Sequence, residues 1–275
     1  MKTNLAELAR ELQEDLDTRR VRRAFAEGRG PDNIQEAYAL QRALRAFREA
    51  RGETVVGFKI GYTSPSVRKQ LAGTMGLGES VHGYLWDTEA YPSGARVDHR
   101  RLGIEGELGI TIESAESDDV ARWEVAFEPI IELHMMGMDP SVMWDGPDAD
   151  AKGRRGLELI GTNCIHAGVV HCAEQKHCRL GEVPLEKLMK VHIGGVQIEE
   201  VTLRELEVDS VYGPVGTVSW LMRTLREEGQ GDDEIVGEGT VLICSTPGGL
   251  YPVPPGIEVG VEFHGLSTNC VAGKP

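Results

Sequence analysis

Long hydrophobic runs are absent from this 275-residue sequence. No stretch approaches the roughly 20 consecutive apolar residues that a membrane-spanning helix needs, so we expect neither an integral membrane protein nor a membrane partner. The first 23 residues are rich in charged side chains and contain no apolar core of the kind that a secretory signal peptide requires. A cytoplasmic location is therefore the expectation.

Positive charge is scarce as well. The chain has 29 Lys and Arg against 44 Asp and Glu, which gives a net charge of −15. Such a field repels phosphate backbones, so nucleic acid is not an expected partner. It does not keep a small anion from a site that holds a metal ion, because the ion's own charge dominates locally. The five cysteines are an odd number in a long chain, which predicts reduced thiols instead of a disulfide framework.

Several well-known catalytic motifs are missing. The sequence has no G-x-S-x-G elbow, no P-loop, no H-E-x-x-H and no G-x-G-x-x-G that follows a strand. These absences disfavour serine hydrolases, P-loop NTPases, zinc proteases of that type and Rossmann dehydrogenases. The segment HCAEQKHC, residues 171–178, lacks the C-x-x-C pair of a structural zinc site, so ordinary packing is the favoured interpretation.

The hydrophobic pattern is helical at the start of the chain and β-like afterwards. Helical periodicity predicts helices over residues 4–27, over about 34–50, and from Pro214 to about Glu228. Short runs with alternating patterns predict strands at 54–60, 81–86, 105–113, 124–135, 165–172, 189–195 and 196–202. The C-terminal stretch 239–265 predicts two strands around a loop rich in Gly and Pro.

This order of elements predicts an α+β fold, with N-terminal helices packed on a mixed, rolled β-sheet or barrel. We expect residues 1–52 to form the helical segment and residues 53–275 to form the β-rich catalytic domain, as a single functional unit. Residues 136–156 are polar, rich in Gly and without periodicity. They predict a long functional loop or lid.

Three glutamates are candidate metal ligands. In the run GIEGELGI, alternate residues of a strand project to the same side, so Glu105 and Glu107 share a face with Gly103 and Gly109. Carboxylates beside small residues suit a hard divalent cation, although an isolated pair is more often a solvated strand face. Glu132 lies in the apolar run FEPIIELHM, where a carboxylate is costly to bury unless it is paired or bound to metal. Three carboxylates on two strands could hold one Mg²⁺ or Mn²⁺.

Lys59 is a candidate catalytic residue. In the run VVGFKIG it shares a strand face with Gly57 and Gly61. A lysine at such a position in a buried strand is neutralised or ion-paired, and its pKa shifts easily. The pattern leaves open an edge strand with a solvent-facing lysine.

Six blocks of the sequence carry a resemblance to a known family: GFKIGYTSPSVRKQL (57–71), HGYLWD (82–87), GIEGELGITI (103–112), EPIIELH (128–134), GTNCIHAGVV (161–170) and GPVGTVSWLMRTLREEGQ (213–230). In order and spacing they resemble the 2-keto-4-pentenoate hydratase and 4-oxalocrotonate decarboxylase branch of the fumarylacetoacetate hydrolase superfamily. The resemblance extends over nearly the whole chain. It implies N-terminal helices packed on a mixed, rolled β-structure that binds a divalent metal.

The resemblance also implies roles for individual residues. The family's acidic metal ligands match Glu105, Glu107 and Glu132. Its catalytic positions match Lys59 and Asp87, and its substrate-binding positions match Asn163, Ser245 and Thr246. The predicted cofactor is Mg²⁺ or Mn²⁺.

The implied activity is that of a metal-dependent lyase acting on a small 2-oxo or 2-hydroxydienoic acid. The leading hypothesis is a hydratase that adds water to a 2-hydroxy-2,4-dienoate and gives a 4-hydroxy-2-oxo acid. A decarboxylase of 4-oxalocrotonate-type acids shares the enolate and is the first alternative. A C–C hydrolase of acylpyruvate type follows, disfavoured because residues 64–76 lack a His–Glu pair, and then a non-catalytic partner subunit. The resemblance implies a homo-oligomer, with or without a decarboxylase or hydratase of the same pathway as partner.

Overall fold

The computed structural model describes residues 4–18, 23–64, 67–69, 75–97, 102–135, 149–228 and 236–273. Its helices include α1 (Leu5–Asp17), α2 (Arg23–Ala26), α3 (Ile34–Ala50), α4 (Ala149–Gly161) and α5 (Gly213–Glu227). Among these residues we find no helix that has both the length and the apolar character needed to cross a membrane.

The strands follow in chain order between and after these helices. They are β1 (Val55–Gly61), β2 (Val81–Trp86), β3 (Ala90–Pro92), β4 (Ala95–Val97), β5 (Leu102–Ser114), β6 (Glu124–Met135), β7 (His166–His171), β8 (Lys176–Arg179), β9 (Leu188–Ile193), β10 (Val196–Thr202), β11 (Glu207–Val208), β12 (Val211–Tyr212), β13 (Val241–Ile243), β14 (Tyr251–Val253), β15 (Glu258–Phe263) and β16 (Leu266–Ala272).

Two large sheets form the β-rich body of the described chain, and β11 pairs with β12 in a separate two-stranded sheet. The larger has the order β2-β1-β13-β5-β6-β7-β3, with β14 also paired to β5 and β8 to β6. The smaller has the order β10-β9-β15-β16-β4. Most pairs are antiparallel, whereas β1 with β13, β3 with β7 and β4 with β16 are parallel. The predicted α+β fold with a mixed, curled sheet is therefore confirmed.

The long strand β5 has two faces with different partners. Ile104 and Leu108 belong to the main apolar core, and Gly106 between them lies against the smaller sheet. A Cβ on Gly106 would stand 2.6 Å from Cγ2 of Val191, so only glycine allows this close approach. Because side chains alternate along a strand, the odd-numbered residues of β5 face away from the core between the sheets.

The N-terminal helices are attached to the β-rich body. An apolar cluster between α1 and α3 includes Leu8, Leu12, Leu40 and Leu44. From the other side of α3, the buried Nε2 of Gln41 donates to the carbonyl of His82 in β2 (2.8 Å) and to that of Ile160 in α4 (3.0 Å). The division at residue 52 stays a prediction.

The first predicted helix is wrong in its extent. In place of one helix over residues 4–27, α1 ends at Asp17 and α2 begins at Arg23. At the end of α1 the hydroxyl of Thr18 donates to the carbonyl of Glu14 (2.5 Å), the same carbonyl that accepts from the Thr18 amide (3.0 Å). A side chain that competes for a backbone acceptor in this way favours the end of a helix.

Two further predictions need correction. Residues 149–156, predicted as part of a loop or lid over 136–156, are helical in α4, and residues 136–148 lie outside the described chain. The C-terminal half of α4 packs against α3 through an apolar cluster that includes Ile160 and Tyr38, and tertiary packing of this kind stabilises helices. The stretch 239–265 forms three strands instead of two, because β14 pairs with β5 despite its central Pro252.

Candidate active site

Four chemically active side chains meet on one face of β5 and β6. The register places Glu105 directly opposite Glu132, and the alternation along each strand adds Glu107 and His134 to the same face. Each of the four offers one ligand atom, and these atoms all lie within 4.8 Å of one another. None of the four residues is more than 9% exposed. We refer to these residues as the acidic cluster.

Several buried atoms of the acidic cluster have no hydrogen-bond partner. They are Oε2 of Glu107, Oε2 of Glu132 and both ring nitrogens of His134. A buried polar atom without a partner costs about 1–3 kcal/mol, and more if it is charged. A divalent cation would supply both the missing contacts and the compensating charge. The residues present therefore fit a divalent metal ion.

Lys59 extends from β1 to the acidic cluster. Its ammonium group is 2% exposed, donates to Oε1 of Glu132 and also lies 3.4 Å from the carbonyl of Cys164. Because β1 lies between β2 and β13, the alternative of a solvent-facing lysine on an edge strand is excluded. At Gly57 an added Cβ would stand 1.7 Å from the Val241 carbonyl oxygen, so glycine there lets β1 pair closely with β13.

The charges of the acidic cluster shift one another's pKa values. Burial alone would lower the pKa of Lys59, but the adjacent Glu132 carboxylate raises it, so the lysine keeps its proton. Burial would likewise raise the pKa of Glu132, but Lys59 and His134 lower it. For Glu105 the effect of burial is outweighed by His134, and the pKa falls. For Glu107 the effect of Lys59 is outweighed: burial and then the charges of Glu132 and Glu105 raise its pKa well above the usual range.

His166 fixes the orientation of Glu132. Its Nδ1 lies 2.8 Å from Oε1 of Glu132, so this oxygen is shared by His166 and Lys59 while Oε2 stays free of hydrogen bonds. The other ring nitrogen lies 3.7 Å from Oε2 of Glu89, which is paired with Arg48 at 2.9 Å. Neither His134 nor His166 was predicted from the sequence. His134 could have been predicted, because it follows Glu132 by two residues and so lies on the same strand face. The contact of His166 with Glu132 depends on the pairing of β7 with β6, which the sequence pattern does not reveal.

Asn163 lies close to the site, but its amide is used by the chain itself. Its Oδ1 accepts from the backbone amide of Tyr84 (2.7 Å), and its Nδ2 donates to the Tyr84 carbonyl (2.8 Å). Asn163, Cys164 and Ile165 all have positive φ values of 51–58°, which turn the chain sharply before β7. In this structure the Asn163 amide completes the hydrogen bonds of β2, and its substrate contact stays a prediction.

The loop after β13 engages the chain in a similar way. The Thr246 hydroxyl donates to the Gly106 carbonyl (3.1 Å) and accepts from the Gly248 amide (3.1 Å). Ser245 is 1% exposed and has a φ of 72°. Neither lines the cavity beside the acidic cluster, whereas Leu250 does. The structure therefore does not bring Ser245 or Thr246 into contact with the site.

Asp87 lies away from the acidic cluster. It follows β2 at the end where Trp86 pairs with Val55, whereas Lys59 pairs with Gly83 further along the strand. Its exposed carboxylate accepts from the Thr54 amide (3.0 Å). The Asp87 side chain thus connects the end of β2 to the residue before β1, and its catalytic role stays a prediction.

A cavity of about 50 Å³ lies beside the acidic cluster. Its wall includes the polar residues Lys59, Glu105 and His134. The rest is largely apolar and includes Val67, Met75, Val81, Leu159, Ile165 and Leu250. The site thus joins charged, ligand-like groups to a compact apolar pocket.

Comparisons with known proteins place the chain in a family. No protein-family model matches it. It is 33% identical over 241 residues to a 4-oxalocrotonate decarboxylase from Pseudomonas putida, over 85% of this chain and 83% of that protein. It is 34% identical over 106 residues to a 2-keto-4-pentenoate hydratase from Burkholderia vietnamiensis, a match that spans 34% of this chain and only 39% of that hydratase.

Solved structures show the same fold. The 4-oxalocrotonate decarboxylase from Pseudomonas putida G7, complexed with magnesium and adipate, gives a TM-score of 0.75 at 21% identity, over 99% of this chain and 98% of that one. A fumarylacetoacetate hydrolase from Exiguobacterium antarcticum gives 0.53 at 12% identity, over 80% of this chain and 76% of that one. The chain belongs to the family of 4-oxalocrotonate decarboxylases and 2-keto-4-pentenoate hydratases, and it shares its fold with the fumarylacetoacetate hydrolase.

Proposed function

We propose that this protein is a divalent-metal-dependent lyase whose substrate is a small 2-oxo or 2-hydroxydienoic acid. The supporting observation is the buried acidic cluster with Lys59 beside a compact cavity. The carboxylates of Glu105, Glu107 and Glu132 would hold Mg²⁺ or Mn²⁺, and the related decarboxylase from Pseudomonas putida G7 was solved with magnesium. A bound cation would supply Lewis acidity and an anchor for the substrate's carboxylate and 2-oxygen.

Lys59 acts on the substrate as a charged donor. Two of its three N–H groups face Glu132 and the Cys164 carbonyl, and the side chain also lines the cavity. The third N–H is available to a substrate oxygen, where it stabilises the negative charge that develops as the dienol loses its proton. A preorganised donor that stabilises a developing negative charge contributes about 10²–10³-fold. Glu132 keeps the lysine protonated for this role.

We propose hydration as the leading reaction. The dienol gains a proton at its terminal carbon, C5, and loses its hydroxyl proton, which gives the conjugated 2-oxo-3-enoate. Water then adds across the remaining double bond: its oxygen bonds to C4 and its proton ends at C3, so the net change is one water gained.

The apolar part of the cavity favours the hydratase. Lys59 is the only cationic side chain among the described residues that line it, apart from the imidazole of His134. A dienoate with a hydrogen or alkyl group at its distal end fits such a wall. The second carboxylate of 4-oxalocrotonate would be buried there without a partner, which costs several kcal/mol.

Decarboxylation is the second candidate, favoured by the 33% identity with the Pseudomonas putida decarboxylase over most of the chain. In that reaction the bond to the distal carboxylate breaks, CO₂ leaves, and its electron pair enters the conjugated system that ends at the 2-oxygen. Lys59 and the acidic cluster would stabilise the same developing charge. Assembly as a homo-oligomer, alone or with a pathway partner, stays a prediction.

Turnover of both substrates by the same preparation tests the proposal. Loss of 2-hydroxypenta-2,4-dienoate and of 4-oxalocrotonate is followed by ultraviolet absorbance with Mn²⁺ or Mg²⁺, and the products are identified by NMR. We expect the dienoate to give the 4-hydroxy-2-oxo acid, and Lys59→Met to lose at least about 100-fold in kcat. Lys190→Met, at a partly exposed lysine paired with Glu200, is the matched control and should keep full activity. If neither substrate reacts while the metal binds, the substrate class is wrong.

A further inference from the structure

His134 is a member of the acidic cluster that the three-carboxylate site does not require. It lies on β6, two residues after Glu132, and its partner across the β5–β6 pair is Gly103. Glycine has no side chain at this position, so the imidazole has room above β5. Its Nε2 lies 2.9 Å from Oε2 of Glu105 and 3.6 Å from Oε2 of Glu132.

The two ring nitrogens of His134 are buried and have no hydrogen-bond partner. The residue is 4% exposed, and the short approach of Nε2 to Glu105 does not have the direction of a hydrogen bond. Ligand atoms that each lie about 2.1 Å from a metal ion are about 3 Å apart when they occupy adjacent positions. The separations of Nε2 from the oxygens of Glu105 and Glu132 are close to this value.

We propose that His134 is a fourth protein ligand, through Nε2, and that it makes the site prefer Mn²⁺ to Mg²⁺. This inference rests on the proposed function, since it concerns the same metal site. Mg²⁺ takes oxygen ligands and keeps several waters, whereas imidazole is a ligand of first-row transition metals. Mn²⁺ accepts both ligand types, so three carboxylates and one imidazole suit it better. In the contrasting arrangement, His134 is a charged partner of Glu105 and Glu132 and contacts no metal.

Pulsed electron paramagnetic resonance of the Mn²⁺-loaded full-length protein tests the inference directly. Nitrogen bound to Mn²⁺ produces ¹⁴N modulation of the electron spin echo. We expect this signal in the wild-type protein and in His177→Asn, a control at an exposed histidine remote from the cluster. We expect it to be lost in His134→Asn and in His134→Gln. His134→Gln and circular dichroism spectra show whether a lost signal results from misfolding of the variant.

Calorimetric titration with Mn²⁺ and with Mg²⁺ gives a second readout. His134→Asn should weaken Mn²⁺ binding at least about tenfold and Mg²⁺ binding much less, so the preference for Mn²⁺ falls. Mn²⁺ binding without ¹⁴N modulation, or equal weakening of both metals, would overturn the His134 inference and leave the proposed function intact. If the wild-type protein binds neither metal, the metal site itself is wrong, and both the inference and the proposed function fail.

Discussion

The hydrogen bonds of Asn163 lead to a prediction that separates a structural amide from a substrate ligand. β2 is the terminal strand in the order of the larger sheet, and the Asn163 side chain makes two hydrogen bonds with the backbone of Tyr84 on that strand. Removing the amide takes away both hydrogen bonds and leaves a buried N–H and a buried C=O without partners. At about 1–3 kcal/mol for each of the two buried groups, the loss is about 2–6 kcal/mol.

Two substitutions of Asn163 separate the effect of losing the amide on stability from the effect of backbone strain. Asn163 has a φ of 58°, which glycine adopts freely and alanine does not. Asn163→Gly should therefore lose about 2–6 kcal/mol of unfolding free energy, and Asn163→Ala about 1–2 kcal/mol more. Asn269→Ala, at an exposed asparagine, is the control and should lose less than about 1 kcal/mol.

Urea unfolding followed by tryptophan fluorescence measures these losses, and steady-state kinetics gives kcat and KM of the same variants. If the Asn163 amide stabilises β2, Asn163→Gly must have a lower free energy of unfolding. Unchanged stability together with a raised KM would refute this role, because the amide would then bind substrate instead of β2.

Three further predictions concern the larger sheet and the acidic cluster. Gly57→Ala should lower Tm strongly, because a Cβ there would meet the Val241 carbonyl at 1.7 Å, whereas Gly78→Ala, with open space around it, should leave Tm unchanged. Glu107→Gln should raise Tm of the metal-free protein at pH 8, because the raised pKa of Glu107 makes its ionised form destabilising. The gain should vanish near pH 3, where the carboxyl is protonated in the folded and unfolded states alike, and a gain that persists there would contradict the electrostatic cause. Mn²⁺ should raise Tm of the wild-type protein, and the same Glu107→Gln variant should remove most of this shift, as differential scanning fluorimetry with a chelator control would show.

The central residues of the site were predictable because strand alternation is a local property. Glu105 and Glu107 share a face by spacing alone, and Glu132 is conspicuous as a carboxylate in an apolar strand. Their meeting depends on the β5–β6 register, which places Glu105 opposite Glu132. Lys59 reaches the three glutamates because the larger sheet curls. The strand pattern alone left open whether Lys59 faces solvent, whereas the family resemblance implied that it lies in the active site.

The contacts that the sequence pattern did not reveal are made between distant segments. His166 lies 34 positions from Glu132 and reaches it because β7 pairs with β6. Asn163 is polar and close to the site, yet its amide is taken by a strand 79 positions earlier. Residues 149–156 were assigned to a loop, yet they form the start of α4, whose C-terminal half packs against α3. Sequence patterns report the face of an element, whereas these contacts are set by how the elements pack.

Turnover of 2-hydroxypenta-2,4-dienoate by metal-depleted protein, before and after Mn²⁺ is added back, tests whether this protein is a metal-dependent hydratase. We expect no conversion after chelation, recovery on addition of Mn²⁺, and 4-hydroxy-2-oxopentanoate as the product. Glu107→Gln should fail to recover, whereas the matched variant Glu200→Gln, at an exposed glutamate on β10, should recover fully. Conversion that persists after complete removal of metal would contradict a metal-dependent reaction at the acidic cluster.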